Sequence, residues 1–336
     1  MTARDLLPEP LNPLGIDGVE FIEFVTGKPQ VLGGVLQRLG FALVARHRSR
    51  EVVLYRQGTM NLIVNAEPGG ADPGATFISA VAFRVRDAAE AMRHSLDAGA
   101  WEVPRRAAAM ELNIPGILGS GESAIYFVDR YTDFSIYDVD FVPFPGTDQH
   151  PPALAGMHYF GLVQAVGAFR SVEWIDFYSQ LLGFRQLSDA DFVGILPKGT
   201  LLRSPCGQFY LQLVEPPEGA EDIQWDDGLV RIGFGTPEVL EATRLLQERG
   251  VVFIDQGALH PGEKGALTQV LPGQRHLRTR RQPAGSGLNR PSSGRKSWIS
   301  ILSRSIPAPW PARSKCACRP RSTTVSGNWC FPPLTW

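Results

Sequence analysis

The 336-residue chain predicts an α+β protein made of four weakly repeated βαβββ units, two to a domain, with the second domain incomplete. Three observations predict it. A strand-like apolar run, an amphipathic helix and a glycine recur in that order four times, and a fixed recurrence is the mark of a repeated supersecondary unit. A proline-rich stretch, FVPFPGTDQHPPALAG (141 to 156), interrupts the recurrence after the second unit, and proline removes the backbone donor that regular pairing needs. The fourth unit then breaks off near residue 270, part-way through its strands.

The first unit opens with GVEFIEFV (18 to 25) and continues into a helix with Leu32, Val35, Leu36 and Leu39 on one face, the spacing of a helix buried on one side. VVLYRQG and MNLIVNA supply its later strands. In the second unit SAVAFRV (79 to 85) precedes Asp87 and Glu90, which stand at the spacing of a capping box, and then Ala88, Met92 and Leu96. SAIYFVD and FSIYDVDFV read as its strands. The third unit has GMHYFGLVQAV (156 to 166), a helix carrying Trp174, Phe177, Tyr178, Leu181 and Leu182, then FVGIL and GQFYLQLVE as strands. The fourth has GLVRIGFG (228 to 235), a helix through Val239, Ala242 and Leu246, the strand-like VVFID (251 to 255), and GALTQV (265 to 270) as the start of a penultimate strand. Gly40, Gly99, Gly183 and Gly250 follow the four helices. Glycine suits that place because the left-handed turn that ends a helix strains any other residue by about 1 kcal/mol or more. The resulting division is an N-terminal extension (1 to 14), a first domain (15 to 143), a linker (144 to 154), a second domain (155 to 270) and a tail (271 to 336).

The overall balance of 33 Lys+Arg against 34 Asp+Glu hides a strong asymmetry. From Leu271 to Trp336 there are 12 basic residues and no acid, with 9 prolines and 10 serines, and no sustained period of 2 or 3.6. The tail is expected to lack regular structure. Its tryptophans (Trp298, Trp310, Trp329, Trp336) and charge would suit nucleic acid. An out-of-frame reading of a GC-rich gene from about residue 270 accounts for the same composition without a function, and nucleic acid is not expected as a partner. Cys316 and Cys318, with His276 and Cys330, lack the second pair of a recognised zinc spacing. The body has one cysteine, Cys206, and so no internal disulfide. No apolar run of about 18 residues would span a bilayer and the start lacks a secretory signal, so a cytoplasmic protein without membrane contact is expected. Glu20 and Glu23 in the first strand suggest acid/base chemistry, but Glu23 is read as a solvated or hydrogen-bonded rim position.

Paired βαβββ units resemble the vicinal oxygen chelate (glyoxalase-like) superfamily, whose modules curl into open barrel-like cups around a divalent metal. At the level of words the chain is similar to bacterial 4-hydroxyphenylpyruvate dioxygenases, through VEFIEFV (19 to 25), HRSREVVLYRQGTMNLIVNAEP (47 to 68), AFRVRDAAEAM (82 to 92), MELNIPGI (110 to 117) and SIYDVDFV (135 to 142). DFYSQLLGF (176 to 184), LRSPCG (202 to 207) and the run from Gly228 to Ile254 continue the match in the second domain. The resemblance implies Fe(II) held by two histidines and a glutamate, the facial set of oxygenase iron, and conversion of 4-hydroxyphenylpyruvate and O2 to homogentisate and CO2 in tyrosine catabolism. By position His158 is the first ligand; Arg231 stands where the second histidine belongs; and the glutamate of the last strand has no counterpart, since no acid follows Glu263. Ser204 and Gln269 match substrate contacts of the family, whereas Val214 and Val230 replace an Asn and a Gln. The resemblance therefore implies an aromatic 2-oxo acid and O2 as partners, Fe(II) as a cofactor this chain does not readily hold, and no catalytic side chain besides the ligands. Assembly into a homo-oligomer is left open. The alternatives are a ring-cleaving dioxygenase or lyase on the same scaffold, or a non-catalytic relative that binds an aromatic acid.

Overall fold

The computed structural model describes residues 12–66, 75–104, 111–121, 123–188, 199–216, 226–255, 261–263, 265–269 and 298–303. The first half runs β1 (Val19–Thr26), α1 (Pro29–Arg38), β2 (Ala42–His47), β3 (Val52–Gln57), β4 (Met60–Asn65), β5 (Thr76–Arg84), α2 (Ala88–Asp97), β6 (Gly116–Leu118), β7 (Ala124–Val128), α3 (Ile136–Asp140) and β8 (Phe141–Pro143). The second runs β9 (His158–Ala165), α4 (Ser171–Leu182), β10 (Arg185–Gln186), β11 (Thr200–Arg203), β12 (Tyr210–Val214), β13 (Gly228–Thr236), α5 (Val239–Glu248), β14 (Gly265–Leu267) and β15 (Trp298–Ser303). No helix among the described residues is long and apolar enough to cross a membrane.

The strands form two mixed, open sheets, ordered β6-β7-β5-β1-β4-β3-β2-β8 and β10-β11-β12-β9-β13-β15-β14. One rule runs through all four units: the opening strand pairs in parallel with a later strand of its own unit, β1 with β4, β5 with β7, β9 with β12 and β13 with β15. Parallel neighbours require a crossover, and the helix of each unit lies within it. The two opening strands of each sheet then meet antiparallel, β1 with β5 and β9 with β13. This is the paired-module, open-sheet α+β architecture that the repeat predicts.

Local detail follows the sequence where one signal dominates. Gly40, Gly99, Gly183 and Gly250 all have positive φ, from +71° to +96°, so each helix leaves through the left-handed turn expected of it. Asp87 caps α2 by accepting from the Glu90 amide at 2.8 Å, and α4 buries Tyr178, Leu181 and Leu182.

Three expectations need correction. FSIYDVDFV is not one strand: Ser135 and Asp138 form a capping box, with the Ser135 amide donating to the Asp138 carboxylate at 2.8 Å, and satisfying these helix-start donors turns the segment into α3 followed by β8. VVFID makes only an isolated bridge from Phe253 to Thr268. Part of the tail is structured: Trp298–Ser303 forms β15 between β13 and β14, because the unit's parallel slot beside β13 leaves a row of backbone donors and acceptors to be paired. FVGIL lies outside the described residues, as does the rest of the tail.

The main core draws on both sheets and on the helices. Phe41 meets Phe234 at 5.8 Å, and Phe83 meets both Phe184 and Phe209 at 5.9 Å. Tyr159, next to His158, donates its hydroxyl to the Asn61 carbonyl across the two sheets. Leu162, Leu211, Leu213, Ile232 and Phe234 turn into this core, whereas Phe160, Leu201 and Tyr210 form a separate cluster with Leu187. Sheet two therefore has a core face, shared with the helices, and a second face that carries the buried Phe160, Leu201 and Tyr210 cluster.

Candidate functional site on the open face of the second sheet

Residues opposite one another in a ladder share a face, so the register locates the site. Arg231 on β13 lies opposite Val163 on β9, Val163 beside Gln212 on β12, and Gln212 opposite Leu201 on β11. Leu201 belongs to the Phe160–Tyr210 cluster, which puts Arg231 on the same face as that cluster. The next row is Gly233, Gly161 and Tyr210; a side chain at Gly161 would collide with the Tyr210 backbone. Phe160 and Tyr210 bring their rings within 4.9 Å, tilted by 32°, and form an aromatic wall.

His158 opens β9 opposite Gly235. A side chain at Gly235 would overlap the His158 Nε2 atom, so the imidazole lies against bare backbone, and its Nδ1 is 3.3 Å from the Gly156 carbonyl oxygen. Arg231 and Gly235 are four positions apart on β13, about 13 Å at the usual strand rise. His158 and Arg231 thus occupy diagonal corners of one face. Burial lowers the Arg231 guanidinium from its ordinary value to about 10, which still leaves it cationic at neutral pH.

The other candidates are placed differently. Ser204 is buried in the turn between β11 and β12: its hydroxyl accepts from the Phe209 amide at 3.1 Å and lies 3.1 Å from Cys206 Sγ. Gln269 follows β14, exposes its side chain and donates its amide to the Val252 carbonyl at 2.8 Å. Neither is tied by a described hydrogen bond to His158 or Arg231.

The described residues do not fit an Fe(II) site. Guanidinium has no lone pair to donate, and its positive charge on the same face as His158 opposes a dication there. The strand that fills the glutamate's place in the fourth unit, WISILS, carries no acid. No three His, Cys, Asp or Glu side chains among the described residues are grouped so as to hold a metal ion.

Sequence reasoning missed a second polar centre, in the first sheet. Glu20 is only 2% exposed. Its carboxylate accepts from Arg84 Nε at 2.6 Å and Asn61 Nδ2 at 3.2 Å, and Arg56 Nε donates to Asn61 Oδ1 at 2.7 Å. The Arg56 guanidinium lies 5.1 Å from the Tyr137 ring centre. Burial, and after it the Glu20 charge, hold the Tyr137 and Tyr159 hydroxyls well above the usual phenol range. An acid at a strand start beside Arg84 of the same sheet was the available signal, but pairing across 64 residues is invisible without the fold. Glu23 accepts from Asn65 at 3.1 Å, a hydrogen-bonded rim position as read.

Comparison with known proteins agrees with this geometry. Residues 11–142 match the N-terminal model of hydroxyphenylpyruvate dioxygenase, and residues 170–267 match the glyoxalase/bleomycin resistance protein/dioxygenase superfamily. Hemolysin VllY of Vibrio vulnificus (strain CMCP6) is 35% identical over 263 residues, 73% of each chain. The 4-hydroxyphenylpyruvate dioxygenase of Pseudomonas sp. (strain P.J. 874) is 34% identical over 262 residues, 72% of each. Among solved structures, a xylose isomerase-like TIM barrel/4-hydroxyphenylpyruvate dioxygenase fusion protein superposes with a TM-score of 0.66 at 22% identity, covering 93% of this chain and 53% of that one, so this chain spans about half of the fusion. With two modules of the right architecture, one matched to the dioxygenase's own N-terminal model and both spanned by relatives more than 30% identical, the chain belongs to the 4-hydroxyphenylpyruvate dioxygenase family.

Proposed function

We propose that the face of sheet two bearing His158 and Arg231 is the substrate cup of a 4-hydroxyphenylpyruvate dioxygenase and takes an aromatic 2-oxo acid of that type, with O2 as the family's second substrate, in the cytoplasmic breakdown of tyrosine. One observation carries the reading: relatedness to the family runs through both modules, as far as residue 267, and so includes this face. The Phe160–Tyr210 wall supports it, since an aryl ring packs well against tilted aromatic rings. Ser204 shapes the turn at the His158 end of the cup, and the exposed Gln269 lies on the Arg231 side of the sheet. His158 keeps the position of the family's first iron ligand, but Arg231 and the acid-free β15 remove the other two. The turnover of this chain is therefore expected to fall far below that of its relatives.

The end of the family match at residue 267, against the loss of all acids after Glu263, supports an out-of-frame origin for the tail. Translating the coding DNA in its other two frames past codon 270 tests this: a continuation into a glycine-rich strand with a glutamate is expected. The functional reading is tested by anaerobic Fe(II) loading, followed by iron determination, calorimetry with 4-hydroxyphenylpyruvate and assay for homogentisate. Substrate binding with little iron and little product is the expected result. A failure to bind the acid with or without metal would reject the reading.

A further inference from the structure

We infer that Gln57, at the end of β3, is a positioning residue for His158: the hairpin of β3 and β4 in the first sheet holds the segment that delivers the imidazole to the start of β9, and so fixes its tautomer. This role rests on the reading that places the site at His158, and it gives the other module a part in that site.

Gln57 is fully buried and uses both ends of its amide. Its Nε2 donates to the Leu39 carbonyl at 2.9 Å, where α1 ends, and its Oε1 accepts from the Leu154 amide at 2.9 Å, 97 residues away in sequence. The same hairpin grips the chain on either side of Leu154. The Gly58 amide donates to the Pro151 carbonyl and Arg56 to the Gln149 carbonyl, both at 2.8 Å, and the Asn61 carbonyl receives the Tyr159 hydroxyl. A Cβ at Gly58 would stand only 2.8 Å from that of Ala153.

The segment held in this way is strained. Ala155 and Gly156 both have left-handed backbone, with φ of +48° and +64°. That conformation strains a residue with a Cβ and persists only where the surroundings impose it. Thr236 Oγ1 donates to the Ala155 carbonyl at 2.7 Å, and the Met157 amide to the Leu154 carbonyl at 2.9 Å. The reversal brings the Gly156 carbonyl oxygen to 3.3 Å from His158 Nδ1. A carbonyl only accepts, so this pairing requires the proton on Nδ1 and leaves the lone pair of the neutral ring on Nε2. Gln57 thus acts on the imidazole through the Leu154 amide, without touching the ring.

Nuclear magnetic resonance of the full chain labelled with 15N-histidine reads the tautomer directly at about pH 8.5, above the histidine range. The chain has six histidines, and His158→Gln assigns the relevant signal by its loss. The parent is expected to show the Nδ1–H form. Gln57→Leu deletes both hydrogen bonds and should lose that pattern at His158 alone, the Nε2–H form taking over while the His47 and His94 signals stay in place. Gln57→Glu should restore the parent pattern, because a carboxyl kept protonated by burial both accepts from Leu154 and donates to Leu39. An unchanged His158 signal in Gln57→Leu, or a parent already in the Nε2–H form, overturns the positioning role. Adding 4-hydroxyphenylpyruvate to the parent sample tests the functional reading separately: a shifted His158 signal supports it, and no response overturns it while the tautomer still decides on Gln57. Should Gln57→Leu prove unfolded by near-ultraviolet circular dichroism, Leu154→Pro removes the same hydrogen bond from its donor side and should move His158 in the same way. Ala153 before it is extended, with φ −73° and ψ 127°, as a residue preceding proline needs to be.

Discussion

Where β1 crosses β5, Glu20 is enclosed by Arg84, Asn61 and Tyr137, with Arg56 bound in turn to Asn61. Where β9 crosses β13, His158 lies on the bare backbone of Gly235, and Arg231 sits along the same face with burial as the cause of its lowered pKa. The two sheets repeat one topology and spend it differently. In the first, the buried acid is answered by residues of the same module, and the result is a closed structural network. In the second, glycines stand at positions 161, 233 and 235 of the facing strands, and Arg231 sits half-buried in a row with Val163 and Gln212. Buried charge is costly unless paired, and in module one the acid's partners Arg84, Asn61 and Tyr137 all lie within the module.

Four measurements would break or sharpen this contrast. The largest expected effect is in module one: Glu20→Ala leaves Arg84 without its carboxylate and should destabilise the chain by about 3–5 kcal/mol, read as a fall in the denaturant midpoint. A change below about 1 kcal/mol would mean that the network does not hold the module together. Next, Ile299→Pro removes one backbone donor from β15, which is flanked by β13 and β14. It should cost about 3 kcal/mol, by analogy with proline inside other hydrogen-bonded elements, and expose the amides of β13 to hydrogen exchange. Unaltered protection there would argue that β15 is not part of the sheet.

Arg231→Met should act in the opposite direction and stabilise the fold by about 1–3 kcal/mol, seen as a raised melting temperature. The sign follows from linkage. The folded-state pKa, about 10, lies below the ordinary guanidinium value; between the two the native chain holds fewer protons than the unfolded chain, and its stability rises with pH through that window. At neutral pH the cost of the charge is fully present, and only the parent chain should gain stability as pH passes about 10. A variant that is less stable than the parent would show that the contacts Arg231 makes outweigh the cost of burying its charge. The smallest expected effect is that of His158→Ala, which should leave the iron content of the purified chain unchanged. Stoichiometric iron that disappears with this substitution would restore a metal site to module two.

The sequence revealed those parts of the molecule governed by neighbours a few residues apart. Helix exits at Gly40, Gly99, Gly183 and Gly250, the Asp87 cap and the apolar face of α4 depend on i to i+4 spacing and came out as expected. The segment 134–142 went astray because a two-residue alternation and a capping box overlap there, and the box prevailed. β15 was illegible for another reason. WISILS is short and surrounded by Arg, Ser and Pro, and what recruits it is the unpaired edge of β13, a property of the assembled sheet. On the site, His158 and Arg231 were identified through family resemblance alone. The Phe160–Tyr210 wall and the glycines facing each other at 161 and 233 required the register of three strands, which a single sequence does not contain.

The slot beside β13 has an implication for how such modules evolve. β15 is held through main-chain pairing on both sides, Arg231 to Trp298 through Thr236 to Ser303 on one and Gly265 to Leu302 through Leu267 to Ser300 on the other. Main-chain hydrogen bonds recognise an extended peptide with little regard to its side chains. A gene that loses its final strand can thus have the vacancy filled by whatever apolar hexapeptide the altered message encodes, and architecture survives a lesion that abolishes chemistry. A truncated chain ending before the tail should likewise accept a synthetic WISILS peptide in trans, as an unlinked splint for the sheet.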